Sequence, residues 1–220
     1  MKISFLMPAY NSGEFIERAL RSTLSLMHRG DELIVVNDAS TDGTTEILSK
    51  LDDPRLVVLT NEINLGVAYS LNRGLSVAGG DLIARIDADD ICLPWRRAVQ
   101  LRLQSKTDSD FIFSSALLYF ERTRLCVPQR PDLVNSKNLS RKLIAGNPFV
   151  HSSMMAKRST IEELGGYSNV AAEDYDLWLR SLTAGKKIVK GNIPTVVHRI
   201  HPKQLTKTTS WKERLRIEDF

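Results

Sequence analysis

Residues 82–90 read Leu82-Ile83-Ala84-Arg85-Ile86-Asp87-Ala88-Asp89-Asp90, a short hydrophobic run that ends abruptly on three acids. A run of that length bounded by polar residues predicts a buried strand over Leu82–Ile86 whose carboxyl end opens onto the acids. The same form recurs upstream. Ile3–Met7 precedes the polar loop Pro8–Gly13, Leu33–Val36 precedes Asn37–Gly43, and Leu56–Leu59 precedes Asn61–Gly66. Between these runs lie amphipathic stretches at Phe15–Met27, Thr44–Leu51 and Val67–Ala78. In the first, Phe15, Ile16, Ala19, Leu20 and Leu24 fall at helical spacing. Alternation of this kind predicts an α/β fold, a mostly parallel central sheet flanked by helices, with its ligand at the carboxyl ends of the strands.

Beyond Pro94 the rhythm changes. Helices are expected over Leu93–Gln104, Ser136–Ala145 and Tyr175–Thr183, and strands over Phe111–Tyr119, Val150–Ala156 and Lys187–Val197, with Arg122–Val127 as a hairpin partner. No internal repeat or low-complexity linker separates the halves. The expectation is one domain over 1–205, a first half at 1–90 fused to a second at 91–205, and a basic tail at 206–220.

The chain has 220 residues, of which 42% are hydrophobic and 25% charged, enough for a sizeable core. No apolar run reaches the roughly 18 residues that span a bilayer. Two cysteines, Cys92 and Cys126, lack metal-type spacing and argue against a disulfide framework, so a reducing cytoplasm is the expected location. The formal charge of +4 gathers in Arg96–Arg102, Lys137–Lys142, Lys186–Lys190 and Lys203–Arg216. These clusters read as solvated helix faces. The functional alternative is attraction to anionic lipid head groups or a phosphate-bearing acceptor, with peripheral attachment to the inner face of the cytoplasmic membrane. No aromatic-and-basic stacking pattern accompanies the charge, which argues against nucleic acid.

Two carboxylates two apart at a strand end suit a hard divalent cation, Mg²⁺ or Mn²⁺, whose remaining coordination a nucleotide diphosphate completes. An acidic turn capping the following helix explains Asp87-Ala88-Asp89-Asp90 equally well. Asp42 and Gly43 are accounted for by the start of the helix at Thr44. Asp38, at the strand end itself, is free to bind a ribose hydroxyl or base edge. Tyr10 is placed to pack on a nucleobase. In Ala172-Glu173-Asp174-Tyr175-Asp176, three carboxylates sit at a helix start, where the macrodipole alone would favour them.

Together these segments resemble the family 2 glycosyltransferases of GT-A fold. Ser4-Phe5-Leu6-Met7-Pro8-Ala9-Tyr10-Asn11 matches that family's opening strand and loop, and Glu32 through Thr44 its second strand and acidic turn. Asn64-Leu65-Gly66, Asn72-Arg73-Gly74 and Gly80 through Asp90 match the run into its metal-binding signature. Asn37 and Ala39 depart from the usual acid and glycine, and Tyr69-Ser70-Leu71 from a small-Arg pattern. The resemblance implies an inverting transfer from a nucleotide-sugar, UDP-linked, to a glycan or lipid-linked acceptor, in bacterial surface-polysaccharide or lipopolysaccharide assembly. It further implies a nucleotide pocket of Pro8, Ala9, Tyr10, Asn11, Asp38, Asn64, Gly66, Asp87 and Ala88, with Asp89 and His201 on the metal. Asp174 is then the catalytic base and Glu173 an acceptor or orientation contact. His151, Gly166 and Asp176 are assigned to the acceptor side, with Asp176 also the fallback base. Two rivals remain. A nucleotidyltransferase would want a basic, Gly-rich first loop, which Pro8–Gly13 is not, and a non-catalytic sugar-nucleotide-binding module would tolerate loss of Asp89 or Asp174.

Overall fold

A computed structural model describes residues 1–135 and 137–202; the expected basic tail at 206–220 lies outside them. In chain order the elements are β1 (Ile3–Ala9), α1 (Ile16–Leu26), β2 (Glu32–Asn37), α2 (Thr44–Ser49), β3 (Leu56–Thr60), α3 (Val67–Val77), β4 (Leu82–Arg85), β5 (Ile91–Cys92), α4 (Arg96–Thr107), β6 (Phe111–Phe120), β7 (Leu125–Pro128) and α5 (Leu139–Ala145). A 3₁₀ turn (His151–Ser153), β8 (Met155–Lys157), α6 (Arg158–Glu163), α7 (Glu173–Thr183) and β9 (Ile188–Ile200) complete the described chain.

The strands form one curled sheet in the order β3-β2-β1-β4-β8-β6-β9-β5, with β7 hung on β6. β3, β2, β1 and β4 are mutually parallel, as are β6 and β9, while β8 is antiparallel to both β4 and β6. Both faces are covered, which is why the strands read as continuous apolar runs rather than strict alternation. Ile3, Phe5, Met7 and Ala9 of β1 pack with Ile16, Ala19 and Leu20 of α1 on one face. Leu6, Ile34 and Val36 meet Ala68, Leu71 and Leu75 of α3 on the other. That second core continues beneath the later half of the chain, where Trp178 of α7 is fully buried against Phe111, Phe113 and Phe149.

Three sequence expectations change. β1 runs to Ala9 because Pro8 and Ala9 pair with Val36 and Asn37, so they end a strand rather than open a loop. The expected strand Val150–Ala156 is a 3₁₀ turn followed by a strand of three residues, since His151 and Ser152 spend their side chains on distant polar partners and Ser153 Oγ donates back to the Val150 carbonyl. α5 is shorter than Ser136–Ala145. Among the described residues no helix is long and apolar enough to cross a membrane.

Candidate active site

β4 delivers the acidic signature. Its last residue, Arg85, is 4% exposed, and its guanidinium forms an ion pair with Asp87. Ser152 from the 3₁₀ turn also donates to Asp87 and sits 3.4 Å from the Arg85 Nη1. Burial alone would push the Asp87 carboxyl up, but the Arg85 charge and the Ser152 hydroxyl hold it down to about 2. Asp87, Asp89 and Asp90 each offer an oxygen within 4.8 Å of the others.

The three aspartates have different duties. Asp90 is fully buried and anchors β9. One oxygen accepts the Arg199 amide at 2.8 Å and the other faces His198 Nδ1 at 3.0 Å. The Asp90 contact raises the His198 pKa to about 9 despite its burial. Anchored in this way, β9 brings His201 Nε2 to 2.9 Å from Asp89 Oδ2. Burial pushes the Asp89 pKa up to about 6, with repulsion from Asp87 and Asp90 adding to the rise and His201 opposing it. Clustered carboxylate oxygens, with Asp89 costly to ionise in the bare protein and the His201 imidazole beside it, form a donor set that a hard or borderline divalent cation fits. A cleft of about 160 Å³ adjoins Asp89, lined by Arg18, Ile91, Tyr119, Val197 and Arg199.

The second acidic set opens α7. Glu173, Asp174 and Asp176 all lie in its first turn. Asp174 accepts the Tyr175 amide at 2.7 Å and the Asn147 side-chain amide at 2.8 Å. Burial raises the carboxyls of both Glu173 and Asp174. Glu173 reaches about 7, with Asp174 as the next cause and Arg85 opposing. Arg85, paired with Asp87, therefore also acts through its charge on the α7 acids, a charge that the strand reading of 82–86 left without a role. Asp176 points elsewhere. It pairs with Arg180 at 2.8 Å, and that guanidinium holds the carbonyls of Leu164 and Gly166. Asp176 and Gly166, expected on the acceptor side, with Asp176 also the fallback base, are both engaged in this clamp. Gly166 has φ +75, and a Cβ there would lie 2.5 Å from Asn72 Oδ1. His151, also expected on the acceptor side, is largely walled in by Tyr167 and Trp178.

In the nucleotide half, Asp38 is 3% exposed rather than open to a ribose. Its carboxylate accepts the Asn61 side-chain amide at 2.6 Å, the Leu65 amide at 3.0 Å and the Gly66 amide at 2.8 Å. It therefore pins the loop that enters α3, and Gly66, with φ +87, supplies the left-handed turn there. Ala9 is buried and its carbonyl accepts the Asp38 amide at 2.8 Å. Tyr10 is 50% exposed, and Asn64 is exposed. Asn11 has φ 49, and its Oδ1 accepts the Thr41 amide at 2.8 Å, tying the first loop to the second. Ala39 carries a positive φ of 56 at a position where the resembling sequences use glycine.

The Glu173 shift has a measurable consequence. A carboxyl whose native pKa exceeds its unfolded value withdraws stability as pH rises from about 4.5 to about 7, because the unfolded chain ionises first. Glu173→Gln is expected to match wild type near pH 4.5 and to exceed it by about 2–3 kcal/mol at pH 8. Urea unfolding at the two pH values checks this, and an equal difference at both would show that the carboxyl is not displaced.

Fold and site define an α/β protein of GT-A type, with an acidic strand-end signature facing a helix that begins on acids. The chain belongs to glycosyl transferase family 2, whose model matches residues 4–165. An Escherichia coli relative, UDP-Gal:alpha-D-GlcNAc-diphosphoundecaprenol beta-1,3-galactosyltransferase, is 34% identical over 198 residues, covering 84% of this chain and 69% of that protein. A second from the same organism, UDP-Glc:alpha-D-GlcNAc-diphosphoundecaprenol beta-1,3-glucosyltransferase WfaP, is 25% identical over 97% of this chain and 83% of its own length. Among solved structures, Staphylococcus aureus TarS 1-349 in complex with UDP-GlcNAc superposes with a TM-score of 0.77 at 21% identity, which bears on the fold. That match covers 95% of this chain, and the chain spans 61% of that structure.

Proposed function

We propose that this protein transfers a sugar, with inversion, from a UDP-linked donor to a hydroxyl of a glycan or lipid-linked saccharide, with Asp174 as the general base. The observation that carries the reading is the meeting of two acidic sets, Asp87-Ala88-Asp89-Asp90 and Glu173-Asp174, around the buried Arg85 guanidinium. In this reading the first set faces the leaving diphosphate and the second takes the proton of the attacking hydroxyl. The names of the E. coli relatives supply the donor and acceptor chemistry.

In this reading Asp174 takes the hydroxyl proton as the acceptor oxygen bonds to the anomeric carbon. The bond from that carbon to the diphosphate breaks on the opposite face, and its electron pair leaves with the diphosphate. The carboxyl is held for this task by Asn147 and the Tyr175 amide. Burial keeps it a stronger base than an exposed aspartate would be. Mn²⁺ or Mg²⁺ on Asp89, with His201 and Asp87 beside it, would neutralise charge on the departing diphosphate. Tyr10 and Asn11, exposed just beyond β1, would contact the nucleoside, with Pro8, Ala9, Asp38, Asn64, Gly66 and Ala88 shaping the pocket. Glu173 orients the acceptor.

Release of UDP from UDP-glucose, UDP-galactose and UDP-GlcNAc, with and without EDTA, tests the proposal in the presence of a diphosphoundecaprenol-linked GlcNAc acceptor. Turnover of one donor, stopped by EDTA and restored by Mn²⁺, is expected. Nucleotide binding without turnover of any donor would favour a sugar-nucleotide-binding module instead.

A further inference from the structure

Lys190 is a buried cation that the transfer chemistry does not use. It closes the basic run Lys186–Lys190, which reads as a solvated face, yet on β9 it is only 2% exposed. Its main chain pairs with Phe113 of β6 on one side, and on the other the Val134 carbonyl accepts its amide at 2.9 Å. Its ammonium donates to the Pro148 carbonyl at 2.7 Å. Phe113 reaches the next residue of the same turn, its ring stacked on Phe149 with centroids 3.9 Å apart at 18°. Two neighbours across the β6–β9 seam thus grip Pro148 and Phe149. The residue before them is Asn147, whose Oδ1 accepts the Phe149 amide at 3.1 Å. That bond leaves Nδ2 to face Asp174, where it donates to Oδ2 at 2.8 Å.

We propose that Lys190 is a positioning residue for the general base: by holding the Pro148 carbonyl it keeps the Asn147 amide on the Asp174 carboxylate. The inference rests on the transferase reading for what Asp174 does, and on the geometry for what holds it. Asn147 is exposed, so packing around its own side chain does not fix it, and the turn behind it has to. A hydrogen bond from an ammonium to a carbonyl is stronger than one between neutral groups. Burial opposes that ammonium and lowers its pKa, with Asp132 countering the fall and Lys142 adding to it. An apolar chain of the same length would fill the space as well, so the charge points to a task at the carbonyl. Asp174 in turn responds to Asn147. Burial raises its carboxyl, the bonds from the Tyr175 amide and Asn147 oppose the rise, and of the charges at the end of β4 Arg85 opposes it while Asp87 adds to it. Glu173 precedes it in the first turn of α7. Loosening the turn therefore removes one of the bonds that favour the ionised base.

Lys190→Met removes the charge and the donor and keeps an unbranched side chain. It is expected to lower kcat about tenfold and to leave the affinity for UDP as in wild type. The acidic limb of the kcat/KM profile should move to higher pH, because the base stays protonated longer once Asn147 lets go. Asn147→Ala should give the same changes, and adding Lys190→Met to it should alter nothing further, since both act through one bond. The direct readout is titration of the Asp174 side-chain carboxyl by carbon-13 NMR, assigned with Asp174→Asn, which needs no activity. A midpoint raised in Lys190→Met as in Asn147→Ala supports the proposal even if wild type transfers no sugar, an outcome that would sink the transferase reading alone. Lys190→Gln, which keeps a neutral donor, should move the midpoint the same way by less, and it carries the test if Lys190→Met does not fold. A midpoint at the wild-type value in the folded Lys190 variants, whatever stability they lose, would overturn the proposal. So would a further rise in the double variant, which would trace the effect to the lost charge rather than to Asn147.

Discussion

Asp174→Asn is expected to bind nucleotide as wild type does and to transfer sugar on the order of 10²–10⁴-fold more slowly. The substitution keeps the shape of the side chain and removes the basic oxygen. Two bonds hold the native carboxylate, from Asn147 and from the Tyr175 amide, and an asparagine oxygen can keep only one of them. The structural loss is small, because removing a raised, buried charge offsets the lost bond and the weaker complement to the α7 dipole. Glu173→Gln serves as the control, since an orienting carboxyl costs far less when neutralised than the base does. Initial rates of UDP release for the two variants decide the assignment. Near-normal turnover in Asp174→Asn with an inactive Glu173→Gln would exchange their roles.

The second large effect is on the fold. Trp178 is fully buried and meets four rings, Phe111 at 5.6 Å, Phe113 at 4.8 Å, Phe149 at 5.9 Å and His151 at 5.6 Å, all nearly edge-on. It sits one turn beyond Asp174, so the packing that stabilises the core also places that carboxyl. Trp178→Ala should cost about 3–5 kcal/mol in urea unfolding, from lost burial and the cavity left behind. Trp178→Phe should cost much less. It retains a ring and discards an indole Nε1 that is buried without a hydrogen-bond partner among the described residues. Equal losses for the two would mean that α7 is held by something other than this cluster.

Much of this could be read from sequence because each strand end carries its chemistry locally. Leu82–Ile86 followed by Asp87-Ala88-Asp89-Asp90 shows a strand and its acids in nine residues, and Glu173-Asp174 announces the helix that β4 faces. What could not be read depends on partners distant in the chain. Asp38 looks like an open acid at a strand end, but Asn61, Leu65 and Gly66, 23 to 28 residues later, consume its oxygens. Asp90 reads as one more acid of the strand-end turn, but 109 residues later the Arg199 amide takes one of its oxygens. Arg85 was hidden inside a strand pattern that expects apolar residues, and that misfit was the available signal. A similar clue lay in His151-Ser152-Ser153, a polar run too hydrophilic for the middle of a buried strand. Asp176 lies beside the acid pair in sequence, yet its partner Arg180 one helical turn later was not legible from that adjacency.

The reading as a whole turns on a nucleotide site organised by Asp89. Calorimetric titration of UDP into wild type and Asp89→Ala, each with and without Mn²⁺, tests it most directly. The expected result is binding to wild type that strengthens markedly with Mn²⁺ and loses that dependence in the variant. UDP binding that ignores both the cation and the substitution, or no binding under any condition, would contradict the account.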